Sequence, residues 1–194
     1  MKGIILVFVV LFLSAAVFAD GAGGNRVVLH TNHGDIVLEL DPEHAPNSTA
    51  SFLENVDAET YNGTLFHRVI PKFMIQGGGF SKDMKLVPTD KNIQNEADNG
   101  LENRRGTVAM ARRNEPHSAS IQFFINVADN EFLNHTAKTA RGWGYAVFGR
   151  VVEGMDVVDQ IAAVDTGRVG PMGDVPLEAV LIESAERVPA AVAE

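Results

Sequence analysis

One short segment of the sequence brings together a cation, an amide and large apolar side chains. Within residues 66–79, Arg68 and Gln76 are separated by Phe73 and Met74, and the segment ends in three consecutive glycines. A guanidinium and a carboxamide can both donate hydrogen bonds, while Phe and Met together form an adaptable apolar surface. These residue types suit the binding of a small apolar group next to a polar atom.

The spacing of these residues predicts two strands joined at a proline-lysine pair. Residues two apart share a face of a strand, so we expect Phe66, Arg68 and Ile70 on one face of the first strand. Met74 and Gln76 share a face of the second. Pairing of the two strands would place the guanidinium and the amide at the edge of an apolar surface.

A second segment, residues 120–126, reads Ser-Ile-Gln-Phe-Phe-Ile-Asn. The two segments, in this order, resemble the cyclophilin family of peptidyl-prolyl cis-trans isomerases, and the similarity extends over most of residues 27–183. The resemblance implies a mainly β fold, a closed eight-stranded antiparallel barrel capped by two α-helices. It also implies an enzyme that uses no cofactor and no metal and acts on proline-containing unfolded or extended polypeptides.

Rotation about an X–Pro bond breaks no covalent bond, so it needs no nucleophile or base. It needs a pocket for the proline ring, a donor that favours the localised nitrogen lone pair, and a hold on the neighbouring backbone. We expect Arg68 to donate to the prolyl nitrogen as the catalytic residue, with Gln76 holding the substrate carbonyl or orienting Arg68. The expected substrate-binding residues are Phe73, Met74, Ala111, Arg112, Gln122, Phe124, Phe132, Leu133 and Tyr145. Of the adjacent phenylalanines, Phe123 is expected in the core and Phe124 at the site.

Three departures from the family pattern are typical of its bacterial, periplasmic branch. Phe132 stands where many members carry tryptophan, Tyr145 where eukaryotic members carry histidine, and Arg112-Arg113 where they carry Asn-Ala. Because phenylalanine has no N–H donor, we expect weak cyclosporin binding. The arginine pair is expected to favour acidic residues in clients.

Periodicity predicts many short strands and two helices. One helix begins near Pro46 and the other covers residues 155–163, while glycine in residues 31–35 indicates a hairpin. The predicted strands are residues 27–29, 36–40, 64–70, 73–76, 107–111, 122–127, 145–151 and 177–184.

The N-terminal 19 residues have the pattern of a secretory signal peptide, with Lys2, an apolar run and Ala19 at the expected cleavage point. We therefore expect a periplasmic or otherwise secreted protein with no membrane association after cleavage. The remaining predicted regions are a flexible lead-in (20–25), one isomerase domain (26–187) and a disordered tail (188–194).

The composition excludes some classes of protein. The formal charge is −9, from 16 basic and 25 acidic residues, and an acidic balance argues against nucleic-acid binding. There is no cysteine, hence no disulfide. The six histidines show no metal-ligand spacing. We expect a monomer, because no exposed apolar stripe is evident.

Two alternatives to an isomerase remain at this point. The same fold could serve as a non-catalytic module that binds proline peptides, against which the presence of Arg68 argues. A barrel could also carry a small apolar ligand, as lipocalins do, although the bulky inward positions favour a filled barrel.

Overall fold

The computed structural model describes residues 23–89 and 91–189. Within these ranges, two α-helices, α1 (Pro46–Asp57) and α2 (Met155–Ala162), accompany ten strands. The strands are β1 (Arg26–Thr31), β2 (Gly34–Leu40), β3 (Thr64–Ile70), β4 (Met74–Ser81), β5 (Thr107–Met110), β6 (Phe123–Asn126), β7 (Val147–Glu153), β8 (Thr166–Val169), β9 (Met172–Pro176) and β10 (Leu181–Arg187).

Eight strands close into an antiparallel barrel in the order β1-β10-β3-β4-β6-β5-β7-β2. This confirms the predicted fold class, including both helices. The β1–β2 hairpin turns at Gly34, whose φ of 126° lies in a region that glycine tolerates without a steric penalty. Neither helix within the described ranges has the length and apolar character needed to cross a bilayer.

A second, two-stranded sheet formed by β8 and β9 was not predicted. It lies outside the barrel and packs against β3. Its strands contain three glycines or prolines and few large apolar residues, so they lack the alternation that marks a strand. The predicted last strand was also wrong at its start: β10 begins at Leu181, whereas Leu177 is exposed in the connection before it.

A β-bulge at His67 changes which β3 side chains share a face. Phe66 pairs with Gly77 and Arg68 with Gln76, so one extra residue lies on β3. Phe66 is consequently turned into the core, whereas Arg68 and Ile70 lie together on the outer face. The predicted common face of Phe66 with Arg68 was therefore wrong.

The barrel interior is filled by aromatic and aliphatic side chains. Phe52 from α1 contacts the rings of Tyr61, Phe123 and Phe148 at centroid distances of 5.0, 5.3 and 5.2 Å. All four are fully buried, and the Tyr61 hydroxyl donates to the Ile121 carbonyl at 3.0 Å. Burial raises the pKa of Tyr61 and keeps its phenol neutral.

Several predictions concern the two ends of the chain. The predicted signal peptide lies outside the described residues, as do residues 20–22 of the lead-in and residues 190–194 of the tail. Residues 23–25 form a short 3₁₀ turn before β1. After β10, the Val188 N–H donates to the Arg26 carbonyl at 2.9 Å, so the tail is still paired with β1 at that point.

Candidate active site

A row of paired residues crosses the outer face of the barrel and forms the base of the site. Arg68 on β3 is opposite Gln76 on β4, which is in turn opposite Phe124 on β6. Phe124 is opposite Ala109 on β5, and Ala109 is opposite Val147 on β7. Because paired residues point to the same face of a sheet, a charged end and an apolar end lie side by side.

Nine of the eleven predicted site residues line one cavity of about 200 Å³ on this face. They are Arg68, Phe73, Met74, Gln76, Ala111, Arg112, Phe124, Leu133 and Tyr145. Pockets for drug-sized molecules are usually about 300–1,000 Å³, so this cavity suits a single small ring rather than a cofactor.

The floor of the cavity is a small apolar cluster separate from the barrel core. Its buried members are Met74, Ala109, Phe124, Leu133 and Val147. The Phe124 ring meets the Tyr145 ring edge-on, with centroids 5.7 Å apart. Phe123, by contrast, is fully buried in the barrel interior, which agrees with the division of the adjacent phenylalanines expected from the sequence.

Phe132 and Gln122 do not line this cavity, although both were expected at the site. Phe132 lies in the 3₁₀ turn Glu131–Leu133, which directs Leu133 inward and leaves Phe132 74% exposed. Its ring still packs on Phe73, with centroids 5.5 Å apart, so it forms part of the rim. Gln122 precedes β6, and its side chain faces a neighbouring cavity.

Arg68 keeps its hydrogen-bonding capacity available. Among the described residues, no protein group lies within hydrogen-bond range of its guanidinium, and its side chain is 43% exposed. The carboxylate of Asp174 on β9 is 3.6 Å from Nε. A guanidinium presents five N–H donors, so the terminal amino groups remain free to meet a substrate.

Gln76 forms the side of the cavity next to Arg68, and Gln122 supports it from outside the cavity. The Gln76 amide donates to Gln122 Oε1 at 2.9 Å, which fixes its orientation. A Cβ at Gly79 would overlap the Gln122 side chain, so glycine allows this amide to lie flat against β4. Gln122 thus acts on the site through Gln76 rather than from the cavity wall.

Arg112 and Arg113 were predicted to act together as one basic pair, but they have different surroundings. Arg112 donates to the carbonyls of Gly144 at 2.8 Å and Arg113 at 2.9 Å, and its guanidinium lies 4.8 Å from the centre of the Tyr145 ring. It is therefore a structural part of the wall. Arg113 has no carboxylate partner among the described residues and is exposed.

A second cavity of about 220 Å³ adjoins the first and shares part of its wall. The shared residues are Gln76, Ala111 and Arg112, and the additional ones include Leu86, Arg113 and Ser118. Because an extended peptide advances about 3.3 Å per residue, two adjoining cavities can accept side chains of nearby residues in one strand.

His67 is buried next to the site beside Phe80, with ring centroids 4.7 Å apart. Its Nδ1 has no hydrogen-bond partner. Burial lowers the pKa of His67 to about 4, so the ring is neutral at physiological pH.

A network of buried asparagines supports the cavity from behind, and the sequence analysis missed it. The Asn130 amide donates to the Phe73 carbonyl at 2.9 Å and to Asn126 Oδ1 at 2.7 Å. The Asn103 amide donates to the Tyr145 carbonyl at 3.2 Å. These bonds fix the loops that carry Phe73 and Tyr145. The signal available in the sequence was the spacing of four between asparagines 126, 130 and 134.

A larger cavity, of about 490 Å³, lies elsewhere and is lined by none of the predicted site residues. Its charged groups are partly paired with one another: Arg150 binds Glu39, and hydrogen bonds from Arg150 and Arg26 lower the pKa of that carboxyl. Among the residues that line this larger cavity, the one basic side chain, Arg150, is paired with Glu39. The size of a cavity therefore does not by itself identify the candidate active site.

Comparison with known proteins identifies the family. The model of the family "Cyclophilin type peptidyl-prolyl cis-trans isomerase/CLD" matches residues 26–187. The chain belongs to the cyclophilin family. It is 57% identical over 158 residues to peptidyl-prolyl cis-trans isomerase B of Escherichia coli, covering 81% of this chain and 96% of that protein. It is also 51% identical over 185 residues to isomerase A of Dickeya dadantii, covering 94% and 96%.

Solved cyclophilin structures share the fold. A Cryptosporidium parvum cyclophilin, determined in the presence of the dipeptide Ala-Pro, has a TM-score of 0.68 at 25% identity and covers 86% of this chain and 99% of its own. Cyclophilin AquaCyp293 of Hirschia baltica has a TM-score of 0.70 at 25% identity, covering 88% and 76%. The chain is thus a cyclophilin-type peptidyl-prolyl cis-trans isomerase, as expected from its two sequence segments.

Proposed function

We propose that this cyclophilin assists the folding of exported proteins by accelerating X–Pro isomerisation, with Arg68 as the electrostatic catalyst and no covalent intermediate. The observation that carries the mechanism is a guanidinium with free donors next to an apolar cavity that fits one small ring. A Cryptosporidium relative was crystallised with Ala-Pro, which supports a proline-containing substrate here.

The barrier to rotation is about 18–20 kcal/mol, because the nitrogen lone pair is delocalised into the carbonyl. In the twisted transition state the lone pair is localised on nitrogen, and a donor there binds it more strongly than it binds the planar amide. Arg68 Nη groups at the cavity edge supply this donor, and interactions that strengthen in the transition state lower the barrier. Gln76, fixed by Gln122, is placed to hold the carbonyl before proline.

The apolar floor provides the grip on proline. Met74, Phe124 and Leu133 contact the ring in this proposal, and the exposed Phe132 extends the rim through its contact with Phe73. Ala111 is only partly buried and follows β5. Its N–H donates to the Gln122 carbonyl at 2.9 Å, so its carbonyl is the backbone group that accepts a hydrogen bond from an extended substrate in this proposal.

The Ser118 hydroxyl, beside the adjoining cavity, supports a mechanism without a nucleophile. Ser118 Oγ donates to the Glu115 carbonyl at 2.7 Å and accepts the Arg113 N–H at 2.9 Å, so it is committed to a turn. A serine needs an adjacent base to attack a carbonyl, and Ser118 has none among its partners. Mass spectrometry of enzyme quenched during turnover should therefore detect no substrate adduct.

The destination of the protein is inferred from its first 19 residues. An apolar run after Lys2 supports export through a cleaved signal peptide, and the cyclophilin domain would then act on clients in the periplasm or outside the cell. We propose that it acts there as a monomer and binds cyclosporin-type macrocycles weakly, because Phe132 offers no N–H donor. Sequencing of the N-terminus after expression of the full chain tests the cleavage after Ala19.

Refolding of a client with a slow, proline-limited phase tests the folding role. Catalytic amounts of the protein should shorten that phase without changing the final yield. If the protein binds the unfolded client but leaves the phase unchanged, it is a non-catalytic peptide-binding module on the same fold.

A further inference from the structure

The β8–β9 hairpin carries an acidic side chain to the candidate catalytic arginine. The hairpin is not part of the barrel and packs against β3, the strand that holds Arg68. The Asp174 carboxylate lies 3.6 Å from Arg68 Nε. It is the only acidic group within 4.0 Å of this guanidinium among the described residues.

The position of the contact on the guanidinium matters. The shortest contact of the Asp174 carboxylate is with Nε, the nitrogen closest to the aliphatic part of the side chain. A guanidinium is planar and rigid, so an attraction at Nε restricts rotation of the whole group. Arg68 also lines the candidate cavity, whose lining includes no residue of the hairpin.

The backbone at Asp174 gives an independent reason to assign a role to its side chain. Its φ is 59°, in the left-handed region that favours glycine and that aspartate tolerates better than most other residues. Glycine would adopt this conformation without strain. Strand β9 therefore carries a carboxylate at a position where the backbone conformation alone would favour glycine.

We propose that Asp174 is a positioning residue, which orients the Arg68 guanidinium so that its terminal amino groups face the prolyl nitrogen of the substrate. This inference rests on the proposed role of Arg68. It places part of the catalytic arrangement outside the barrel, on a hairpin that the pocket itself does not include.

Two substitutions remove the carboxylate while respecting the backbone. In Asp174→Asn the new side chain has the same shape as aspartate, and asparagine tolerates the left-handed conformation. In Asp174→Gly the side chain is removed, and glycine adopts that conformation without strain. On a neutral proline tetrapeptide, we expect both to lower kcat about threefold to fivefold, with KM within twofold and an unchanged melting temperature. This size is that of a partly exposed ion pair. Glu178→Gln, an exposed site in the connection after β9, changes the net charge equally and should leave the kinetics unchanged.

A double-mutant cycle with Arg68→Ala provides the decisive readout. If Asp174 acts only through Arg68, adding Asp174→Asn to Arg68→Ala should cause no further loss of rate. Wild-type activity should also fall towards that of Asp174→Asn as salt screens the pair, whereas the variant should respond less. An additive loss in the cycle overturns the proposal, as does wild-type activity in both Asp174 variants. A loss restricted to basic peptides also overturns it, since Asp174 would then contact the substrate.

NMR of the arginine side chain separates this proposal from the proposed function. The Arg68 Nε–H signal should shift and lose order in Asp174→Asn but not in Glu178→Gln. If the wild type fails to accelerate exchange, the proposed function fails, but this signal still reports whether Asp174 orients the guanidinium. An unchanged Arg68 signal in Asp174→Asn contradicts the positioning role, whatever the activity of the protein.

Discussion

The two faces of β6 are stabilised in different ways. On the inner face, Phe123 and Ile125 are fully buried among side chains from the rest of the barrel. On the outer face, Phe124 belongs to a cluster of only five buried residues, and Asn126 beside it is held by hydrogen bonds. A single four-residue strand thus contributes alternately to the core and to the candidate active site.

The inner face depends on packing and the outer face on polar support. The Phe123 ring meets the rings of Phe52, Tyr61 and Phe66 edge-on, at 5.3, 5.5 and 6.0 Å between centroids. Behind the outer cluster, asparagine amides hold the loops that carry Phe73 and Tyr145. We infer that stability is determined mainly by the inner face and catalytic geometry mainly by the outer one.

Substitution of the adjacent phenylalanines should separate these two properties most strongly. Phe123→Ala is expected to lower the free energy of unfolding by about 3–5 kcal/mol, because it leaves a cavity among rings that are already closely packed. Phe124→Ala removes part of an existing pocket floor, so we expect a smaller loss of stability and at least a tenfold loss of isomerase activity. Urea denaturation and NMR exchange measurements on both variants test this. Equal losses of stability and activity in the two variants would remove the distinction between the faces.

The buried His67 should make the barrel sensitive to acid. Its folded pKa of about 4 lies below the ordinary value of 6.5, so the unfolded chain takes up the proton first as the pH falls. The stability contributed by the neutral ring is therefore present above pH 6.5 and is lost as the pH falls towards 4. Between pH 7 and 4.5 this predicts a loss of about 2–3 kcal/mol from this group.

His67→Gln provides the control for this acid effect, since the amide does not titrate. Urea denaturation of this variant at several pH values should show a shallower decrease in the free energy of unfolding than the wild type shows. Parallel curves for the two proteins would mean that other groups cause the acid sensitivity.

Asn130→Ala tests the polar support of the outer face. It removes the donor to the Phe73 carbonyl and to Asn126 Oδ1. Unsatisfied buried acceptors cost about 1–3 kcal/mol, and the shifted Phe73 loop should raise KM several-fold. Asn92→Ala, at an exposed asparagine, is the matched control and should leave both quantities unchanged. If Asn130→Ala loses stability but keeps KM, the network supports the fold and not the pocket.

The smallest effect is expected at the rim. Phe132 is exposed, so Phe132→Ala should change the free energy of unfolding by less than about 0.5 kcal/mol and raise KM about twofold. Phe132→Trp adds an indole N–H and should tighten the binding of a cyclosporin-type macrocycle, measured by calorimetry. Wild-type affinity in the nanomolar range would contradict the expected role of this position.

Much of the fold and the site could be predicted because they depend on local patterns. Strand alternation distinguished Phe123 from Phe124, and Pro46 and Gly34 marked a helix start and a hairpin. The resemblance to cyclophilins supplied the closure of the barrel, which alternation alone does not give.

The features that were missed depend on long-range geometry. The bulge at His67 reverses the orientation of Phe66 relative to Arg68, and no residue type in β3 signals an inserted residue. The proximity of Asp174 to Arg68 arises from packing of a hairpin about a hundred residues later in the chain. Arg112 differs from Arg113 because its guanidinium donates to the Gly144 carbonyl and lies over the Tyr145 ring, and both residues are about thirty positions later in the chain.

The central claim is that Arg68 accelerates rotation by stabilising the transition state. The most direct measurement is X–Pro exchange in a proline tetrapeptide by NMR, with peptide affinity determined in parallel, for the wild type and Arg68→Ala. Loss of one preorganised donor predicts a fall in exchange rate of about 10²–10³-fold, with affinity for the planar substrate changed little and an unchanged melting temperature. An Arg68→Ala variant that retains wild-type exchange, or loses exchange only in proportion to its affinity, would contradict this account.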